Sequence, residues 1–175
     1  MDNYTKNCSQ YTKPCTCTVH YIANNGFKDT IKFKLNYYKK YELNEHDTFS
    51  VRIKKLRKLE DLTCSELGKL TNLTAGNLIS LENNAINPSY TIIKKLYSYF
   101  GDKIIVDPYS KYVIVNGNEL IKNYRIENKI KVKDMAKILN ISERSYHKLE
   151  VSSEISLQKF QLIYPKIINM NIFRY

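Results

Sequence analysis

The chain changes its hydrophobic period twice. From Thr16 apolar and polar residues alternate: Cys17, Val19 and Tyr21, then Ile31, Phe33 and Leu35 after a break. A period of two puts alternate side chains on opposite faces of a strand. The break, Ala23-Asn24-Asn25-Gly26, is turn chemistry, because Asn and Gly accept a positive φ. The pattern predicts a β-hairpin pairing about 16–22 with 27–36. Residues 1–15 have no periodic apolar pattern, and 37–49 read as a polar linker.

From Phe49 the spacing turns helical. Val51, Ile53, Leu56 and Leu59 are spaced for a first helix. Thr63 and Glu66 have capping-box spacing and open a second, carrying Leu67 and Leu70. Asn72 tolerates the left-handed conformation of a tight interhelical turn. Thr74 caps a third helix with Leu78 and Leu81 inside. Pro88 marks the start of a fourth, through Ile92, Ile93, Leu96, Tyr97 and Phe100, and Gly101 ends it. Ile104-Ile105-Val106 and Tyr112-Val113-Ile114-Val115 flank Asp107-Pro108-Tyr109-Ser110-Lys111, which predicts a second, short hairpin. From Glu119 the helical period returns. Leu157, Phe160, Ile163 and Tyr164 mark the last helix, with Pro165 expected to interrupt it.

The two helical stretches match at a constant offset. LTAGNLISLE at 73–82 and ISERSYHKLE at 141–150 share a frame, and Ile53 falls on Ile121, Arg57 on Arg125, Leu62 on Ile130, Leu67 on Met135 and Gly68 on Ala136. Asn72 falls on Asn140, Leu70 on Ile138 and Glu82 on Glu150. The apolar character persists while the polar letters diverge, which points to an internal duplication. The expected fold is mainly α: tandem helix-turn-helix bundles with an N-terminal β-hairpin and a short β-hairpin between the units. The expected divisions are 1–48 for the N-terminal segment, 49–103 for the first unit, 104–118 for the hairpin linker and 119–175 for the second, divergent unit.

IKKLR at 53–57, LTCSELGKL at 62–70, LISLENN at 78–84 and the following Pro88 resemble the lambda-repressor/Cro-type (XRE family) helix-turn-helix domain. IKNYR at 121–125, IKVKDMAKIL at 130–139 and SYHKLE at 145–150 resemble a second copy. The family commonly has Gln where this chain has Cys64 and Val132. The resemblance implies sequence-specific binding of double-stranded DNA and a role in transcriptional regulation, repressor-like. It also implies that Arg57 pairs with Glu82, and Arg125 with Glu150, as scaffold. An Arg fork on a carboxylate is geometrically strict, and both pairs survive at the repeat offset.

In such a motif the second helix enters the major groove with its N-terminal residues toward base edges. The groove-facing positions are then Ala75, Gly76 and Ser80 in the first unit, and Glu143, Arg144 and Lys148 in the second, with Ser142 beside them as a further DNA-binding candidate. Arg and Lys can grip guanine acceptors, and Glu can accept from cytosine. Thr74, Asn77, Asn83 and Asn84 are placed for phosphates, as are Lys131 and Lys133 at the start of the second helix of the second unit. The second unit is expected to read and the first to position. Two such helices in one chain can span successive grooves ~34 Å apart; a homodimer is the other arrangement.

Charge agrees with a polyanionic partner. The formal net charge is +11 and the pI about 9.4. No signal pattern and no apolar run near membrane-spanning length occurs, so a soluble cytoplasmic chain without membrane contact is expected. No His-Glu-x-x-His, Gly-x-Ser-x-Gly or Gly-rich phosphate loop is present, and neither an enzyme nor a cofactor is expected. Cys8, Cys15, Cys17 and His20 could supply four zinc donors, but their spacing is not that of a ribbon or finger. Cys17 and His20 would also face opposite sides of a strand, so no metal is expected. Cys64 beside the expected reading face could sense oxidants, but its sequence neighbours do not lower a thiol pKa. The rival to DNA reading is a protein-interaction adaptor or anti-repressor that keeps the fold, favoured by the bland reading face of the first unit.

Overall fold

The computed structural model describes residues 15–22, 28–35, 40–152, 154–170 and 172. Two strands, β1 (Cys15–Ile22) and β2 (Lys28–Leu35), pair antiparallel with Cys15 opposite Leu35 and Ile22 opposite Lys28. The turn expected at 23–26 lies outside the described residues. The rest is mainly helical. The first unit holds α1 (Phe49–Leu59), α2 (Cys64–Thr71), α3 (Ala75–Glu82) and α4 (Tyr90–Phe100). Then follow a 3-10 turn (Gly101–Ile104) and α5 (Pro108–Ile114). The second unit holds α6 (Gly117–Glu127), α7 (Val132–Ile138), α8 (Glu143–Val151) and α9 (Leu157–Asn169).

Local chemistry sets the helix starts. Thr63 accepts from the Glu66 N–H at 3.2 Å while the Thr63 N–H donates to the Glu66 carboxylate at 2.7 Å, which satisfies two otherwise orphaned donors. Thr48, Thr74, Ser89, Ser142 and Ser156 cap their helices through the side-chain oxygen. Asn72 and Asn140 turn the chain after α2 and α7 at φ 53° and 56°, and Asp61 and Lys129 do so after α1 and α6 at φ 54° and 53°. The repeat is thus written into the backbone as well as the sequence.

Residues 104–118 form no hairpin. They hold the end of the 3-10 turn, α5 and the start of α6. Asp107 and Pro108 open a helix there rather than a turn. The Asp107 Oδ1 accepts from the Ser110 N–H at 2.7 Å, and Pro108 takes the first helical position, where its missing N–H costs nothing. Tyr109, Tyr112 and Val113, spaced three and four apart, all face inward. Gly117 then lets α6 begin against the Tyr112 ring, where a Cβ would collide.

Consequently 104–118 is no spacer. Ile104, Tyr109, Tyr112 and Val113 belong to one continuous core with Leu67, Leu78 and Leu96 of the first unit and Ile121, Tyr146 and Phe160 of the second. The Phe160 ring lies 5.3 Å from Tyr109 and 5.0 Å from Tyr112. The Tyr109 hydroxyl donates to the Ile155 carbonyl at 2.7 Å, and Lys94 of α4 donates to Asn116 at 2.7 Å.

Two further expectations are corrected. Helix α9 runs through Pro165 instead of stopping. Pro165 and Gln161, four residues back, are both exposed, so water can meet the carbonyl that the proline leaves unpaired. Leu70 and Ile138, counted as inward, are 56% and 42% exposed. The buried position one residue on is Thr71 in the first unit and Leu139 in the second. Thr71 hides its hydroxyl by donating to the Leu67 carbonyl at 2.7 Å.

Candidate nucleic-acid interface

The frame that presents α3 and α8 is fastened the same way twice. Arg57 donates through Nε and Nη2 to the two Glu82 oxygens at 2.6 Å each, and through Nη1 to the Leu62 carbonyl at 2.7 Å. Arg125 donates to Glu150 at 2.6 and 3.3 Å, and to the Ile130 carbonyl at 3.2 Å. Each Arg therefore ties the first helix of its unit to the end of its third helix, α3 or α8, and to the turn after the first. The Glu82 hydrogen bond holds the Arg57 guanidinium above its usual range, against the opposing effect of burial. In the second unit Tyr146 adds its hydroxyl to Glu150 at 2.7 Å. Burial, then this bond, push the Tyr146 hydroxyl far above its usual value.

With that frame set, α3 presents a nearly neutral outer face. Leu78, Leu81 and Glu82 point inward; Gly76 and Asn77 are exposed, and Ala75 and Ser80 are half-buried. Thr74 spends its oxygen on the Asn77 N–H at 3.2 Å, while Asn83 and Asn84 are exposed beyond the helix end. A Cβ at Gly76 would meet nothing within 4 Å, so packing does not require this glycine.

Helix α8 differs. Tyr146 and Leu149 are buried, and Glu143, Arg144, His147 and Lys148 are exposed. Ser142 caps the helix at the Ser145 N–H, 3.2 Å. Lys131, at the N-cap of α7, and Lys133 are also exposed. Among the described residues the side chains of Lys131, Lys133, Arg144 and Lys148 have no ion-pair or hydrogen-bond partner. On α1 three of the five cations are absorbed by the fold: Arg52 and Lys55 share Asp47, at 3.5 and 2.6 Å, and Arg57 holds Glu82, while Lys54 and Lys58 have no ion pair among the described residues.

Sequence reasoning passed over Lys69 and Lys137. Both are exposed, on α2 and α7, and they are one of the few polar identities kept at the repeat offset, which was the available signal. Cys64 sits inward, with Sγ 3.9 Å from Glu82 Oε1. Burial and the Glu82 charge raise its thiol pKa, the opposite of what a reactive thiolate needs. Of the zinc candidates, Cys8 lies outside the described residues; Cys15, Cys17 and His20 stand on β1 opposite Leu35, Phe33 and Thr30. No helix among the described residues is long and apolar enough to cross a membrane.

No family model, curated protein or solved structure matches the chain.

Proposed function

We propose that the chain is a sequence-specific double-stranded DNA-binding protein of the helix-turn-helix kind, a repressor-like transcriptional regulator, in which α8 reads base edges and α3 positions the backbone. The observation that carries this reading is the contrast in charge use. Helix α3 carries no Lys or Arg, whereas Arg144 and Lys148 on α8, with Lys131 and Lys133 at the start of α7, stand exposed and, among the described residues, unpaired. Unpaired cations are available to displace counterions from phosphates, and an Arg at the start of a recognition helix has the geometry to grip guanine O6 and N7.

Gly76 supports the positioning role of α3. Glycine inside a helix costs about 1 kcal/mol relative to alanine, and nothing in the fold requires it there. Its absent side chain leaves the backbone open to close approach by a phosphate strand.

The second reading, a protein-interaction adaptor or anti-repressor, draws on the exposed aliphatics Leu70, Ile79 and Ile138. Selection of sites from a random duplex pool, with the full chain and with Arg144→Ala, separates the two. DNA reading expects an enriched motif that relaxes at one base pair, with a loss of ~1–3 kcal/mol. Weak binding without a motif, falling steeply with salt, favours the adaptor.

A further inference from the structure

The outer face of α3 carries one large apolar side chain. Gly76, Ile79, Ser80 and Asn83 are spaced three and four apart and share the side of the helix opposite Leu78, Leu81 and Glu82. Ile79 is 49% exposed, so about half of it meets water rather than the core. Its neighbours on that face are short. Gly76 has no side chain and open space where a Cβ would be, and Ser80 is half-buried. Ile79 is therefore the bulkiest group on a face that holds neither Lys nor Arg.

The fold makes little use of this isoleucine. The core is supplied from the other side of α3 by Leu78 and Leu81, both fully buried. A β-branched residue on the outside of a helix also loses side-chain freedom against the preceding turn. At the repeat offset Ile79 falls on His147, which is exposed and shares a face of α8 with Arg144, Lys148 and Val151. The same place is thus apolar in one unit and polar in the other. Scaffold positions such as Arg57 and Arg125 keep their letter across the repeat; this one is set separately in each unit, as a contact position is.

The major groove presents hydrogen-bond donors and acceptors on every base pair, and one protruding apolar group, the C5-methyl of thymine. An isoleucine side chain has no polar atom with which to meet the donors and acceptors. From this we infer that Ile79 packs on a thymine methyl and gives α3 one base contact beyond its positioning role. The inference rests on the reading of α3 and α8 as groove helices. The bare backbone at Gly76, one turn before, lets the helix come close enough for the Ile79 tip to reach a base edge. In α8 the imidazole of His147 takes the same place, so dependence on a methyl is confined to the half of the site that meets the first unit.

A binding duplex is first selected from a random pool with the full chain. Each of its thymines is then replaced in turn by deoxyuridine, which removes only the methyl, and the affinity of each duplex is measured. In the half that Arg144→Ala does not relax, one thymine is expected to lose about fourfold in affinity without its methyl, the worth of one buried methyl-sized group. Ile79→Ala should bind the thymine duplex about fourfold more weakly and lose its response to deoxyuridine at that position. Ile79→Val keeps a branched apolar tip and should retain the response. Melting curves check that both variants fold, as expected for a half-exposed position. A selected motif in which no thymine of that half depends on its methyl overturns the inference and leaves the DNA reading standing. A methyl dependence that Ile79→Ala leaves unchanged does the same. Failure to select any motif removes the DNA reading, and this inference with it.

Discussion

Arg57 grips Glu82 through two parallel hydrogen bonds of 2.6 Å, with both side chains almost fully buried. This pair joins α1 to the end of α3 and so fixes how the outer face of α3 is presented. Taking both charges out of water is costly, and the arrangement holds because the fork geometry and the third bond to Leu62 satisfy most of the donors.

Breaking that pair from one side should be severe. Arg57→Ala leaves a buried carboxylate unpaired and is expected to destabilise the protein by about 3–5 kcal/mol. Arg57→Met combined with Glu82→Leu should recover most of the loss, since a packed apolar pair needs no counter-charge. Urea unfolding of the two singles and the double closes the cycle. A single-variant loss under about 1 kcal/mol would mean the pair behaves like an exposed one.

Gly76→Ala should separate stability from binding. With nothing near the added Cβ, α3 is expected to gain up to about 1 kcal/mol. DNA affinity should fall if the backbone there approaches phosphate. Melting and a binding titration on the same variant read both effects; a gain in affinity would remove Gly76 from the interface.

Gly68→Ala should cost more than its mirror change. A Cβ at Gly68 would sit 2.5 Å from the Leu73 carbonyl oxygen, so the α2–α3 turn must shift, at about 1–3 kcal/mol. Ala136 stands at the equivalent place in the second unit, where the Ile141 N–H still reaches the Ala136 carbonyl at 3.0 Å. Ala136→Gly should lose about 1 kcal/mol, the helix-propensity difference. Equal urea midpoints for the two variants would contradict the tighter first turn.

Stability should fall in acid. Burial pushes the Glu150 carboxyl up, but hydrogen bonds from Arg125 and Tyr146 outweigh it and leave the folded value below 4.5. Burial likewise raises Asp47, and the Asn44 N–H and Lys55 bring it below 3.8. Groups depressed in the folded state bind protons more readily when the chain unfolds. Their contribution is therefore complete above the ordinary carboxylate range and is lost as pH falls through the folded values. Urea midpoints should drop between about pH 6 and about pH 3, and Glu150→Gln should flatten part of that slope. A wild-type curve that is level across this interval would refute the assignment.

The repeat offset by itself determined much of this protein. It located both Arg–Glu pairs and the Asn turns after α2 and α7, and the caps at Thr63 and Thr74 were also legible, because these are local signals or matched letters. The buried positions Ile53, Leu67, Leu78 and Leu81 followed from period 3.6. Where the local pattern was ambiguous, only the tertiary structure decided. Asp107-Pro108-Tyr109-Ser110 satisfies both a turn and a helix start, and the choice fell to packing: the helix buries Tyr109, Tyr112 and Val113 together against Phe160. Leu70 and Thr71 show the same limit. Hydropathy put Leu70 inside, but the docking angle of α2 turned Thr71 inward, and its hydroxyl could be satisfied by its own helix. Which cations are free was equally hidden, because it depends on whether a distant acid lies within reach: Asp47 does for Lys55, and none among the described residues does for Arg144.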